Sequence, residues 1–188
     1  MAWKSKSYQL KSESPLISHN GQLASPLNPI TIQMKKLSGK RSKTEADLEA
    51  LAKLEFLGGL YIDKTLGIVI PADNIEAAII KAAMKSKLGP VAKTGMFVDK
   101  HSKLIYDGPQ VPEKLWKDKD FVLQKLVVIQ RSRILRTRPI FNEWSLETVV
   151  SYADSIVDES QLDGWMQIAG SQVGLCDWRP RYGRFSVK

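Results

Sequence analysis

An α+β fold, with an antiparallel sheet covered by helices on one face, is what this 188-residue sequence predicts. Three observations carry that expectation. Segments alternating with the period of two typical of strands are interspersed with segments of helical period. The helical segments open on cap residues and end at glycines. Strand, helix and strand follow one another within residues 144–187. A hydrophobic content of 43% suffices for one well-buried core.

Residues 1–29 are rich in Ser, Lys, Asn and Pro and sustain no period, so they are expected as an extended N-terminal arm. Trp3, Tyr8, Leu10, Leu16, Ile17 and Leu23 are spaced apolar anchors, which pin such an arm to its own domain or to a neighbouring subunit. The first regular element is then a strand, ITIQMKKL, in which Ile30, Ile32 and Met34 alternate with Thr31, Gln33 and Lys35. A basic loop, SGKRSK, leads into a helix over TEADLEALAKLEFLGG. Thr44 and Asp47 make a capping box there, Leu48, Leu51 and Ala52 form the apolar stripe, and Gly58 permits the stop.

LYIDKTLGIVIP reads as a short hairpin around Asp63–Gly67. In ADNIEAAIIKAAMKSKLGP, Asp73 and Glu76 form a second capping pair, Ile75, Ile79, Ala82 and Ala83 fall on one helical stripe, and Gly89-Pro90 ends the helix. Residues 91–120 read as an insertion, with a hairpin of 96–98 and 104–106 and a turn of helix at Pro112–Trp116. FVLQKLVVIQRSRILRTRP begins as a strand and becomes a strip of arginines, and Pro139 forbids a helical continuation. EWSLETVVSYA alternates as a strand, VDESQLDGWMQIAGSQVG is a helix capped by Asp158, and GRFSVK closes as a strand. Written in order, the elements give β-α-β, an inserted helix and hairpin, and β-α-β again. That is the ferredoxin-like (RRM-like) arrangement, with a less regular α+β domain as the alternative. The expected organisation is an arm over 1–29 and one domain over 30–188, with 91–120 inserted.

A net charge of +8 and a pI near 9.5 call for an acidic partner, with nucleic acid first and an anionic membrane surface second. Cys176 is the single cysteine, which excludes an internal disulfide, and His19 and His101 lie far apart, so neither a zinc site nor another cofactor is expected. No apolar run approaches the roughly 18–20 residues of a membrane span and no signal peptide is evident, so a soluble, cytoplasmic protein is expected. Nucleophile elbow, phosphate-binding loop and paired-carboxylate motifs are absent, which argues against catalysis. His101, in an expected loop, is a lone histidine without partners to form an acid–base set.

Three basic patches are candidates for binding nucleic acid. The closing loop offers Arg179, Arg181 and Arg184 for bidentate pairing with phosphate oxygens and Trp178 and Tyr182 as stacking faces, while its glycines let the backbone come close. Arg131, Arg133, Arg136 and Arg138 form a strip on an expected strand, whose bland alternative is a charged edge that deters aggregation. Lys35, Lys36, Lys40, Arg41 and Lys43 surround the first strand–helix junction. Taken singly this third patch reads as a solvated loop, and convergence with the others would make it part of an interface.

The strand, basic loop and helix opening, together with the closing AGSQVGLCDWRPRYGRFSV, resembles the RAMP superfamily of CRISPR systems, especially the backbone subunits that polymerise along guide RNA. IPADNIEAAIIKAAM is similar to an Ile-Pro-led helix that many members carry, and Gly170, Gly174 and Gly183 occupy the position of the family's glycine-rich loop. The resemblance implies a modified ferredoxin-like fold, binding of single-stranded RNA or DNA, and a homo-oligomer or filament. The chain is shorter than those subunits, only 91–120 stands for their thumb, and Leu175 and Cys176 follow Gly174 where another glycine belongs. A compact virus-encoded relative fits these departures. Asp99 and Asp107 are not closely matched to the thumb aspartate of the RNA-cutting members. Two further readings stay open: a structural or protein-interaction subunit, which in a virus would imitate a CRISPR subunit, and a metal-independent ribonuclease built on His101.

Overall fold

The structure, a computed structural model, describes residues 2–129 and 131–188. In chain order its elements are β1 (Trp3–Ser12), β2 (Leu16–Ile17), α1 (Pro29–Ser38), α2 (Glu45–Gly59), β3 (Ile62–Asp63), β4 (Gly67–Ile70), α3 (Ala72–Lys85), α4 (Gly89–Gly95) and β5 (Met96–Phe97). There follow β6 (Ser102–Lys103), α5 (Pro112–Lys117), β7 (Val122–Ile129), β8 (Ser132–Phe141), β9 (Ser145–Ala153), α6 (Glu159–Ile168) and β10 (Phe185–Val187). The fold is α+β with antiparallel sheets, as expected. It falls into two compact units: one spans the chain up to Leu16, Ile62–Asp107 and Asn142–Lys188, and the other spans Ile17–Tyr61 and Gly108–Phe141.

The first unit is built on a four-stranded sheet of order β10-β1-β9-β5, in which every neighbouring pair is antiparallel. Residues Trp3–Lys11 pair in continuous register with Ala153–Ser145. Tyr8 and Leu10 point to a buried face, opposite Thr148 and Leu146, while Ser5, Ser7 and Gln9 stay exposed on the other. The helices cover the buried face. α3 contributes the buried stripe Ile75, Ile79, Ala82 and Ala83, and α6 contributes Leu162, Trp165 and Met166. A smaller sheet of order β3-β4-β6 joins this unit, tied to β9 by the bridge between Ile105 and Ser145.

A polar network fixes α6 to β1. The Lys6 ammonium donates to Glu159 Oε1 at 2.7 Å and to Asp163 Oδ2 at 2.9 Å. The Tyr8 hydroxyl donates to Asp163 Oδ1 at 2.8 Å, and that of Tyr152 donates to Glu159 Oε2 at 2.8 Å. Hydrogen bonds from Lys6 and then Tyr152 hold the Glu159 carboxyl below its ordinary value. Burial alone pushes Asp163 up, but the donors Lys6 and Tyr8 together prevail and hold it low. Desolvation, reinforced by Asp163, pushes the Tyr8 hydroxyl well above its ordinary value, so it remains a donor.

The second unit packs α2 on a three-stranded sheet of order β2-β8-β7. Its fixed point is Glu55, a buried carboxylate on α2 that accepts from Arg138 Nη1 at 2.6 Å, the Thr137 N–H at 2.9 Å and Arg136 Nη1 at 3.2 Å. Around it, Phe56 packs on Trp116 of α5 with ring centroids 5.5 Å apart, and Phe121 packs edge-on against Phe141 at 5.9 Å.

Several elements match the sequence: the 44–59 helix with its Thr44–Asp47 capping box, the 62–70 hairpin, the strand and helix over 145–168 with Asp158 as cap, and the closing strand. Others are corrected. Residues 30–37 are helix α1, not a strand, because Asn28 accepts from the Ile30 and Thr31 N–H groups and Pro29 occupies the first turn. Ile30 and Met34 fit a helical period together with Leu37 as well as an alternating one together with Ile32. The segment expected as an arm supplies β1, an interior strand of the larger sheet. α3 ends at Lys85, and Gly89-Pro90 opens α4 instead of merely stopping the helix. Glu76 does not cap α3 but accepts from the Val98 N–H at 3.1 Å. Residues 96–97 and 102–103 pair with β9 and β4 and not with each other. The arginine strip lies on the second arm of a hairpin, β7 against β8, with Pro139 inside β8 opposite Val122. Residues 108–141 group with Ile17–Tyr61 in the second unit.

Two outcomes follow from these networks. Glu55→Ala strands two guanidinium groups near a buried site and is expected to lower unfolding stability by about 3–5 kcal/mol in urea denaturation. Glu159 and Asp163 are held below their unfolded values, so their contribution is complete above about pH 4–5, where the unfolded carboxyls are ionised, and is lost as pH falls through the folded values. Stability measured against pH is therefore expected to fall below about pH 4, and Asp163→Asn to reduce that fall.

Candidate nucleic-acid interface

The closing loop is shaped by contacts at its base. After α6, a π-helical turn over Ala169–Val173 ends when the Gly174 N–H donates to the Ala169 carbonyl at 2.8 Å. The Leu175 N–H then donates to the Gly183 carbonyl at 2.9 Å, and the Gly183 N–H donates to the Pro15 carbonyl at 2.8 Å. Both glycines have positive φ, at 77° and 74°. A Cβ on Gly174 would lie 2.6 Å from the Tyr182 carbonyl oxygen, and one on Gly183 would collide with that of Leu175. The glycines therefore let two backbone segments meet at the neck of the loop. Leu175, fully buried, anchors that neck.

Beyond the neck the loop presents the predicted residues. Arg179, Arg181 and Arg184 are exposed, and Trp178 and Tyr182 are half-buried with ring centroids 6.1 Å apart. The Arg181 guanidinium carbon lies 5.9 Å from the Tyr182 ring centroid. Arg184 Nε donates to the Pro180 carbonyl at 2.9 Å, and the Arg184 backbone is clamped to the chain after β1: its N–H donates to Ser14 Oγ at 2.9 Å and its carbonyl accepts from the Glu13 N–H at 2.8 Å. Among the described residues none of the three guanidinium groups is in an ion pair. Three cations, two ring faces and a rigid neck form a surface suited to phosphates and bases.

The arginine strip divides. Arg138 is buried and committed to Glu55, and Arg136 is half-buried on the same carboxylate, so both are structural cations. Arg131, at the turn with φ of 70°, and Arg133 are exposed. In the third patch Lys35, Lys36, Lys40, Arg41 and Lys43 are all exposed, at the end of α1 and in the loop to α2. Lys40 is paired with Asp47 at 2.6 Å, and Lys43 Nζ donates to the Lys40 carbonyl at 3.1 Å. The closing loop belongs to the first unit, and the other two patches belong to the second.

Sequence reasoning missed Glu55, the anion that removes two arginines from the candidate interface, and Ser14, which holds Arg184 in place. It also missed the exposed pair Trp3 and Phe97, packed edge-on at 5.0 Å across the sheet's uncovered face. Only the alternation of residues 3–11 could have revealed this face. His101 proves to be a helix cap: its Nδ1 accepts from the Ala72 N–H at 3.1 Å. Burial pushes the Cys176 thiol up to about 12, so it stays protonated beneath the loop, 3.7 Å from Asn74 Nδ2.

Among the described residues no helix is long and apolar enough to cross a membrane, and no group of three or more His, Cys, Asp or Glu side chains is placed to hold a metal ion. No protein-family model matches the sequence and no curated protein matches it.

Gly183→Ala is expected to destabilise the protein by about 1–3 kcal/mol, read by thermal denaturation, because the new methyl group meets the Leu175 carbonyl in a left-handed backbone. His101→Ala removes a helix cap and is expected to cost about 1 kcal/mol in the same measurement.

Proposed function

We propose that this chain is a non-catalytic single-stranded nucleic-acid-binding protein that oligomerises along the strand it binds, similar in this to the CRISPR effector backbone subunits. The observation that carries the reading is the closing loop, where Arg179, Arg181 and Arg184 stand exposed around the Trp178–Tyr182 pair on a glycine neck that holds the backbone in one conformation. Guanidinium groups meet phosphates through bidentate hydrogen bonds, and ring faces accept any base, so the surface suits single strands of varied sequence.

The first unit supports the finer, ferredoxin-like reading. Its principal elements run β1, α3, β5, β9, α6, β10, and the sheet order β10-β1-β9-β5 is that of two interleaved β-α-β units, each with a strand of the other between its own two. The β7–β8 hairpin supports the oligomer. Leu126, Val128 and Leu135 are 60%, 70% and 52% exposed, and the cross-strand register places them on one face with Arg133. Such a face gains by burial against a neighbouring copy and its bound strand.

Fluorescence anisotropy with labelled single-stranded RNA and DNA oligonucleotides tests the proposal. Binding at low salt is expected, with a log–log salt slope that falls by roughly 0.7 for each arginine contact removed, about 2 for the triple Arg179, Arg181 and Arg184 to Ala variant. Trp178→Ala is expected to weaken binding by about 1–3 kcal/mol. Failure of the folded protein to bind either oligonucleotide at low salt, or a triple variant with an unchanged slope, overturns the reading.

A further inference from the structure

The second unit carries an apolar groove of about 520 Å³ between α1 and α2, lined by none of the closing-loop residues that carry the nucleic-acid reading. Gln33, Lys36 and Leu37 line it from α1 at i, i+3 and i+4, and Ala50, Lys53, Leu54 and Leu57 line it from α2 at i, i+3, i+4 and i+7. These are the stripes with which helices receive another helix. On α2, Glu55 and Phe56 are buried on other faces, while Gly58, one turn beyond Leu54, abuts Leu23 and Ile30 and so marks the end of the groove where α1 already packs. Leu37, Leu54 and Leu57 are left half-buried.

The charged side chains that line this floor have one sign. Lys36 and Lys53 line the groove with it, and among the described residues neither is in an ion pair. The lining holds no carboxylate to repel an anion and no aromatic ring on which a base could stack. An occupant must therefore bring a row of apolar side chains at helical spacing, to cover the leucines, and carboxylates beside that row, to meet the two ammonium groups.

We propose that the α1–α2 groove docks an acidic amphipathic helix of a partner protein, completing a three-helix arrangement with the leucines as its seam. The nucleic-acid reading neither requires this site nor supplies it.

The test uses the full chain, freed of nucleic acid by nuclease treatment, and a fluorescent helical peptide of about five turns. The peptide carries leucines at i, i+3, i+4 and i+7, flanked by glutamates. Saturable binding is expected, weakened about tenfold or more by Leu54→Asp. Lys53→Glu is expected to shift preference toward a peptide with lysines in place of the glutamates, and this surface variant decides the matter should Leu54→Asp fail to fold. A composition-matched scrambled peptide that binds equally well would falsify the proposal, since plain charge attraction then suffices. It also fails if Lys53→Glu leaves the preference unchanged, if phosphatidylcholine–phosphatidylserine vesicles bind through this face while the peptide does not, or if sedimentation shows a self-association that Leu54→Asp abolishes.

Discussion

The pairing of β1 with β9 is the constraint on which the first unit depends. It joins residues 3–11 to residues 145–153, near the opposite end of the chain, and β10 then adds to the free side of β1. Closing so long a loop costs entropy that only extensive burial offsets, and the sheet supplies it through Tyr8, Leu10, Leu146 and Val150 beneath α3 and α6. The candidate interface inherits this geometry. Glu13, Ser14 and Pro15, immediately beyond β1, hold the backbone of Gly183 and Arg184. The N-terminal strand thus sets where the C-terminal arginines stand.

The legible elements carried their signals locally. Thr44 with Asp47, and Asp158 with Gln161, announce helices by residues that satisfy neighbouring backbone groups, and the alternation of 145–153 mirrors one buried and one open face. What escaped depended on distant partners. β1 reads as a polar arm because Ser5, Ser7 and Gln9 fill the middle of its open face, and because the inward Lys6 answers Glu159 and Asp163 rather than an apolar core. Residues 30–37 carry two periods at once, and Asn28-Pro29 decided between them.

Charge was the least reliable guide to the candidate site. Arg136 and Arg138 look like Arg131 and Arg133 in sequence, yet Glu55 on a different element turns the first pair into structural cations. Gly174 and Gly183 of the closing loop hold the positive φ for which the sequence places glycines there. Gly174 and Gly183 bring the chain close to itself at the neck, and that closeness holds the arginines and rings outward.

Hydrogen–deuterium exchange of the full chain, alone and with a single-stranded oligonucleotide, tests the central claim most directly, because it reads β1 and the closing loop together. Trp3–Ser12 should exchange as slowly as β9, and the oligonucleotide should add protection at 176–184 while leaving the α3 core unchanged. Rapid exchange across Trp3–Ser12, or oligonucleotide protection confined to other segments, would contradict the account.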